Sequence, residues 1–234
     1  MIADRIDAEL RSAGTPERAA QEKRYLKSEF EHYGVTVWAI RRIVKEALPA
    51  ELRRRELLEA VEALWARPVH ECRMAAVELL TLRGELLEPV DLELVERLIR
   101  ESKTWALVDG LAPSVAGPLV ERNPELSARL DRWAADDDFW VRRSALLALL
   151  GPLRRGEGDF ERFARYADTM LEEREFFIRK AIGWVLRETS KERPELVFDW
   201  FLPRAERASG VTTREAVTYL PEQERAEILS RRAG

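Results

Sequence analysis

Cysteine is almost missing from this chain: Cys72 is the one thiol in 234 residues. An internal disulfide is therefore impossible, and a CxxC metal or redox motif is excluded. Histidine is nearly as scarce. His32 and His70 are the only two, and neither has partner spacing for a metal or for nucleophilic catalysis, so no metal and no cofactor are expected. No apolar run approaches membrane-spanning length. The first turns carry Asp4, Arg5, Asp7, Glu9 and Arg11 rather than a signal peptide's apolar core, so a cytoplasmic location without membrane contact is expected. An excess of base is also lacking, since the formal net charge is −4. That balance argues mildly against a nucleic-acid partner without excluding one, because phosphate binding depends on local clusters of Lys and Arg.

Glycine and proline are few, at 11 each, and no linker or low-complexity tract appears. A single domain over residues 1–234 is expected. Leu, Ala, Glu and Arg dominate, with 46% apolar and 35% charged residues, a balance that suits solvated helix faces over a core rather than disorder. Apolar residues recur at three- and four-residue spacing almost everywhere, without sustained alternation. Thr15-Pro16-Glu17 opens one helix, and Gly34, Pro49, Pro68, Gly84, Pro89, Pro124 and the 156–158 segment punctuate the rest. About twelve helices, most of roughly 11 to 17 residues and grouped in pairs, follow from this pattern.

One motif repeats. Arg-x-Ala followed by apolar residues occurs at Arg73, Arg143, Arg179 and Arg214. The last three are 36 and 35 residues apart, and the first two are 70 apart, or two such periods. A period near 35 built from helix pairs is a solenoid signature; the tetratricopeptide consensus is absent, and Arg near the start of each second helix is HEAT-like. The expected fold is all-α, a right-handed α-solenoid of HEAT-like helix pairs with a concave binding face. The missing copy falls where the chain reads Thr104-Trp105-Ala106-Leu107-Val108-Asp109. An acid stands there in an arginine's place, with Trp105 one turn before it. The arginines read either as braces between repeats or as a basic track for phosphates that Asp109 interrupts.

Trp105-x-x-x-Asp109, Trp140-x-x-Arg143 and the run Phe176-Phe177-Ile178-Arg179-Lys180-Ala181-Ile182-Gly183-Trp184-Val185-Leu186-Arg187-Glu188 resemble the AlkD family of bacterial DNA alkylation repair enzymes. Tyr25-Leu26-Lys27 through Phe30 to Gly34-Val35 resembles that family's amino-terminal motif. The likeness spans about residue 20 to about residue 220, and its most specific piece is the thirteen-residue Phe176–Glu188 block, which contains Ala-Ile-Gly-Trp-Val-Leu-Arg-Glu. It implies a HEAT-like monofunctional DNA glycosylase that excises N3- and N7-alkylated purines from duplex DNA, acting as a monomer and nucleoid-associated when bound. Asp109 would be the catalytic carboxylate. Trp105 and Trp184 would flank the lesion, and Arg143 would contact the damaged nucleotide's backbone, with Tyr25, Lys180 and Arg187 as further DNA contacts. Where the family often has a second aromatic, an acid and a glutamine, this chain has Thr104, Ala106 and Thr36.

The chemistry is coherent on its own terms. Alkylation at N3 or N7 puts positive charge on the purine, which then leaves without a general acid. A single carboxylate suffices to stabilise the oxocarbenium-like sugar and position water. Aromatic walls suit a cationic base, at roughly 1–3 kcal/mol per contact, and an arginine fork suits a phosphate. Asp109 also reads as a helix brace or as the partner of Arg143. Lys180, Trp184 and Arg187 share a helix face, which fits a nucleic-acid groove or an ordinary amphipathic boundary. Trp140 reads as core, Trp38, Trp65, Trp133 and Trp200 as packing aromatics, and Cys72 as a buried thiol. Two other functions fit the same residues: a catalytically silent DNA-binding HEAT-repeat protein, and a protein–protein scaffold.

Overall fold

The structure, a computed structural model, describes residues 1–233. Among these residues no strand forms, and a lone parallel bridge joins Glu31 to Val69. The chain divides into two compact units, Met1–Leu111 and a second beginning at Ala112. The first holds α1 (Ile2–Ala13), α2 (Pro16–Leu26), α3 (Val37–Ala47), α4 (Arg54–Trp65), α5 (His70–Leu82), α6 (Leu92–Ser102) and α7 (Trp105–Leu111). The second starts with a π-helical turn at Ala112–Ala116. It continues through α8 (Gly117–Arg122), α9 (Ser127–Trp133), α10 (Phe139–Leu147), α11 (Leu150–Arg154), α12 (Phe160–Met170), α13 (Phe176–Thr189), α14 (Pro194–Phe201), α15 (Gly210–Ala216) and α16 (Glu222–Ala233). No helix among the described residues is long and apolar enough to cross a membrane.

The helices are more numerous and shorter than periodicity predicts, running from five residues in α11 to fourteen in α13. The reason is local. Pro152 has no N–H for the carbonyl of Ala148, and the chain parts there into α10 and α11. Thr15 and Pro16 open α2 as expected, but the Thr15 side chain makes no cap bond.

Packing follows the repeat within each unit. In the first, α5 packs on α4 and lies against both α3 and α7, while α6 backs α7. In the second, α13 packs on α12 and α14 and lies against both α10 and α15. Trp65, Trp133, Phe163 and Phe201 are all fully buried in these layers. Ion pairs mark the same period between first or second helices of neighbouring repeats. Arg54 grips Asp91 at 2.6 and 2.9 Å, Arg204 grips Asp168 at 2.7 Å through both nitrogens, and Arg207 meets Glu172 at 2.6 Å. Arg97 with Glu62 and Arg155 with Glu121 add further rungs. Apart from Arg54–Asp91, whose carboxylate is buried, these are exposed or partly exposed pairs that contribute little singly but hold register.

Trp65, Trp133 and Trp200 are buried, as is Trp140. Trp38 is not: it is 72% exposed, which overturns its assignment to the core. The buried stripe of α3 is Ile40, Ile43, Val44 and Ala47, and Trp38 falls on the opposite side. Cys72 is buried as expected and donates to Asp7 Oδ1 at 3.1 Å.

The approach to α3 is set by a buried carboxylate. Glu71, fully enclosed, accepts the backbone N–H groups of Tyr33, Gly34 and Val35 at 3.0, 2.6 and 3.1 Å. Gly34 turns the chain at φ +79°, where a Cβ would lie 2.2 Å from the carbonyl oxygen of Thr15, so only glycine fits. Thr36 then caps α3, accepting from Ala39 N at 3.1 Å.

Candidate active site

The repeat motif has a fixed place in the fold. Arg73, Asp109, Arg143, Arg179 and Arg214 each occupy the fourth or fifth residue of α5, α7, α10, α13 and α15. In three of these arginines the guanidinium is committed to a backbone carbonyl. Arg73 donates to the Glu101 carbonyl at 2.8 Å and lies between the rings of Phe30 and Trp65, 4.1 and 4.9 Å from their centroids. Arg179 donates to the Glu173 carbonyl at 2.6 Å. Arg143, only 2% exposed, donates to the carbonyl of Phe177, and its guanidinium carbon is 5.8 Å from that ring's centroid. A carbonyl acceptor offsets part of the cost of burying each guanidinium, although Arg73 Nε is buried without a partner. The repeating arginine is thus a brace in these repeats.

Asp109 replaces that brace on α7. Thr104 caps this helix, its Oγ1 accepting from Ala106 N at 3.4 Å and its carbonyl from Leu107 and Val108. The residue that departs from the family pattern is therefore a buried helix start. Leu107, Val108 and Leu111 face the core, while Trp105 and Asp109, four residues apart, share the half-buried side. Tyr25, at the end of α2 and 74% exposed, meets Trp105 edge-on with centroids 6.1 Å apart. The first unit thus gathers Tyr25, Trp105 and Asp109 of the expected site.

The second unit carries Arg143 on α10 and Lys180, Trp184 and Arg187 on α13. Trp184 is half-buried. Lys180 and Arg187, which flank it on its own helix face, both form ion pairs with Glu215 of α15. Arg187 Nε also lies 3.3 Å from Glu188 Oε1. The stripe is therefore of mixed sign. Gly183 permits this: a Cβ there would meet Glu215 Cβ at 2.7 Å and the Thr212 carbonyl oxygen at 3.0 Å.

Glu215 is the residue that sequence reasoning missed. It is the middle residue of Arg214-Glu215-Ala216, as Lys180 is of Arg179-Lys180-Ala181. Opposite charges one period apart, in the same register of packed helices, signal the pair.

Among the described residues one group has the makings of a metal site, Glu22, His32 and Glu71, with ligand atoms within 4.8 Å of one another. Its carboxylates already hold donors, Arg18 on Glu22 at 2.6 Å and three backbone N–H groups on Glu71. Burial holds the pKa of His32 below the ordinary histidine value.

Comparison with known proteins agrees with this fold. A family model for DNA alkylation repair enzymes matches residues 6–220. A solved structure named as a predicted DNA alkylation repair enzyme from Enterococcus faecalis is 25% identical, with 89% of this chain and 97% of that one covered and a TM-score of 0.74. AlkD2 from Streptococcus mutans, 17% identical with 87% and 98% covered, has the same fold at a TM-score of 0.60. No curated protein sequence matches significantly. With nearly its whole length described by one family, the chain belongs to the DNA alkylation repair enzymes.

Proposed function

We propose that this protein is a monofunctional DNA glycosylase that releases N3- and N7-alkylated purines, such as 3-methyladenine and 7-methylguanine, from duplex DNA. The observation that carries the reading is the α7 face: Asp109 in the repeat position that elsewhere holds a bracing arginine, with Trp105 one turn before it and Tyr25 edge-on to Trp105. The alkylated base leaves with the electron pair of the N-glycosidic bond and becomes neutral. Water adds its oxygen to C1′ and loses a proton to solvent by way of Asp109. The carboxylate stabilises the cationic sugar between those events. Trp105 supplies an aromatic face to a cationic purine on the first unit, and Trp184 offers another on the second; Arg143, buried and bonded to the Phe177 carbonyl, serves as a brace rather than as a fork for phosphate.

The test is release of free 7-methylguanine or 3-methyladenine from methylated duplex DNA by wild type and by Asp109→Asn. Release by wild type, lost in the Asn variant while duplex binding persists, is the expected result. Binding without release would make the protein a silent DNA binder, and equal release by the Asn variant would remove Asp109 from the chemistry. The pairing of Lys180 and Arg187 with Glu215 favours a second reading, a scaffold for protein partners. Absence of any duplex binding by wild type would select it.

A further inference from the structure

Helix α3 carries a cationic, aromatic face outside the Asp109 site. Trp38, Arg41, Arg42 and Lys45 are all exposed and recur at spacings of three, four and seven, which puts them on one face. The opposite face, Ile40, Ile43, Val44 and Ala47, is complete without Trp38. An indole left 72% in water contributes nothing to the core. Around it, the Arg42 guanidinium carbon lies 5.5 Å from the ring centroid and Arg41 Nε lies 3.4 Å from Glu78. Trp38, Arg41, Arg42, Lys45, Glu78 and Leu82 line an open cavity of about 290 Å³. That lies at the lower limit of small-molecule sites, which run to roughly 300–1,000 Å³. It has one aromatic wall, three cations and one acid.

We propose that this α3 face is a second DNA contact, in which an unpaired base stacks on Trp38 while Arg41, Arg42 and Lys45 hold the flanking phosphates. The inference rests on the DNA reading above and extends it to residues outside the Asp109 site. A π face beside cations is the combination that single-stranded nucleic acid uses: stacking takes any base, and the cations follow the backbone. A protein partner of the scaffold kind would be met by a larger apolar patch, whereas here Val37 and Leu82 are the only other exposed large apolar residues of α3 and the cavity wall, at 44% and 37%. Net local charge of three bases against Glu78 selects an anion.

The experiment is fluorescence anisotropy on the full chain with two labelled duplexes, one fully paired and one with a single bulged adenine, across a salt series. Wild type is expected to prefer the bulged duplex. Trp38→Ala should lose roughly tenfold in affinity for it, the lower part of what one lost stack costs, and with that the preference. Trp38→Phe should keep most of it. Combined Arg41→Ala, Arg42→Ala and Lys45→Ala should reduce the salt slope by about 2 to 3, at roughly 0.9 per phosphate. Because Trp38 lies outside the core, circular dichroism and the thermal midpoint should not move. Equal weakening on both duplexes would overturn stacking. Unchanged binding by Trp38→Ala, with alkylpurine release intact in wild type, would overturn the inference alone. Failure of wild type to bind either duplex would overturn it together with the DNA reading.

Discussion

Tyr25 and Trp105 meet edge to face, with ring planes at 89° and centroids 6.1 Å apart. The contact joins the end of α2 to the first residue of α7, so the indole one turn before Asp109 is held from outside its own helix. Edge-to-face pairs contribute about 0.5–1.5 kcal/mol beyond burial. Tyr25 itself is exposed, so its loss should leave the fold alone. We expect Tyr25→Ala to shift stability by no more than about 1.5 kcal/mol, the upper value of one such ring pair, yet lower the rate of alkylpurine release between about two- and tenfold, and Tyr25→Phe to retain most of it. Equal loss in Phe and Ala would assign the effect to the hydroxyl instead of the ring.

Arg143 and Asp109 should fail in different ways. The Arg143 guanidinium is buried and donates to the Phe177 carbonyl, so Arg143→Ala leaves an acceptor unsatisfied and a void. A destabilisation of about 2–4 kcal/mol is expected in urea unfolding. Weaker DNA binding by this variant would then be partly a fold effect. Asp109→Asn, isosteric and half-buried, should cost far less stability than that while removing base release.

Much of the fold was legible in the sequence. The helical period and the 35-residue repeat are properties of apolar spacing, and both hold. Helix ends were less legible, because Pro152 acts through one missing N–H and Thr36 and Thr104 act as caps rather than as members of a binding motif. Trp38 was misread for a specific reason. Its helix had already filled its apolar stripe with Ile40, Ile43, Val44 and Ala47, and residue type alone does not show on which side of that stripe an indole falls. The arginine repeat pointed to both its roles, and the carbonyl bonds of Arg73, Arg143 and Arg179 identify bracing as the common one.

Acid should destabilise the first unit through its histidines. His70 stacks on His32 at 4.7 Å, and burial, with His32 and Arg73 nearby and against the pull of Glu71, lowers its pKa to about 4. Folded His70 is therefore neutral where the unfolded residue, titrating near 6.5, takes a proton. Stability is full above pH 6.5 and falls as pH drops towards 4, by about 3 kcal/mol over that window. Urea midpoints measured from pH 7.5 to 4.5 should show the decline, and His70→Gln should flatten it. A decline unchanged by the substitution would place its origin elsewhere.

Gly183 should resist the smallest enlargement. Its missing Cβ leaves room for Glu215 Cβ and the Thr212 carbonyl at 2.7 and 3.0 Å, neither of which is the free end of a flexible chain. Gly183→Ala would push α15 from α13 at a cost of about 1–3 kcal/mol, more than the helix-propensity gain of alanine returns. A thermal midpoint lowered by several degrees is expected. A variant as stable as wild type would show that α15 can shift freely.

Glu215→Gln tests what Lys180 and Arg187 are for. In the folded chain both cations pair with this carboxylate, Arg187 with Glu188 as well, so two competing uses exist for the same charge. If they serve DNA, neutralising Glu215 releases Lys180 and leaves Arg187 with Glu188 alone, and duplex affinity should rise with a salt slope steeper by about 0.9 to 1.8, at roughly 0.9 per added phosphate contact. If they serve only to fix α15 on α13, the Gln variant should lose stability, within about 1–2 kcal/mol for partly exposed pairs, with no change in slope. Measuring both quantities on one variant separates the uses. A steeper slope with little stability change would make Glu215 a gate on the DNA-facing cations, whereas a flat slope with lost stability would leave Trp184 without basic neighbours in binding.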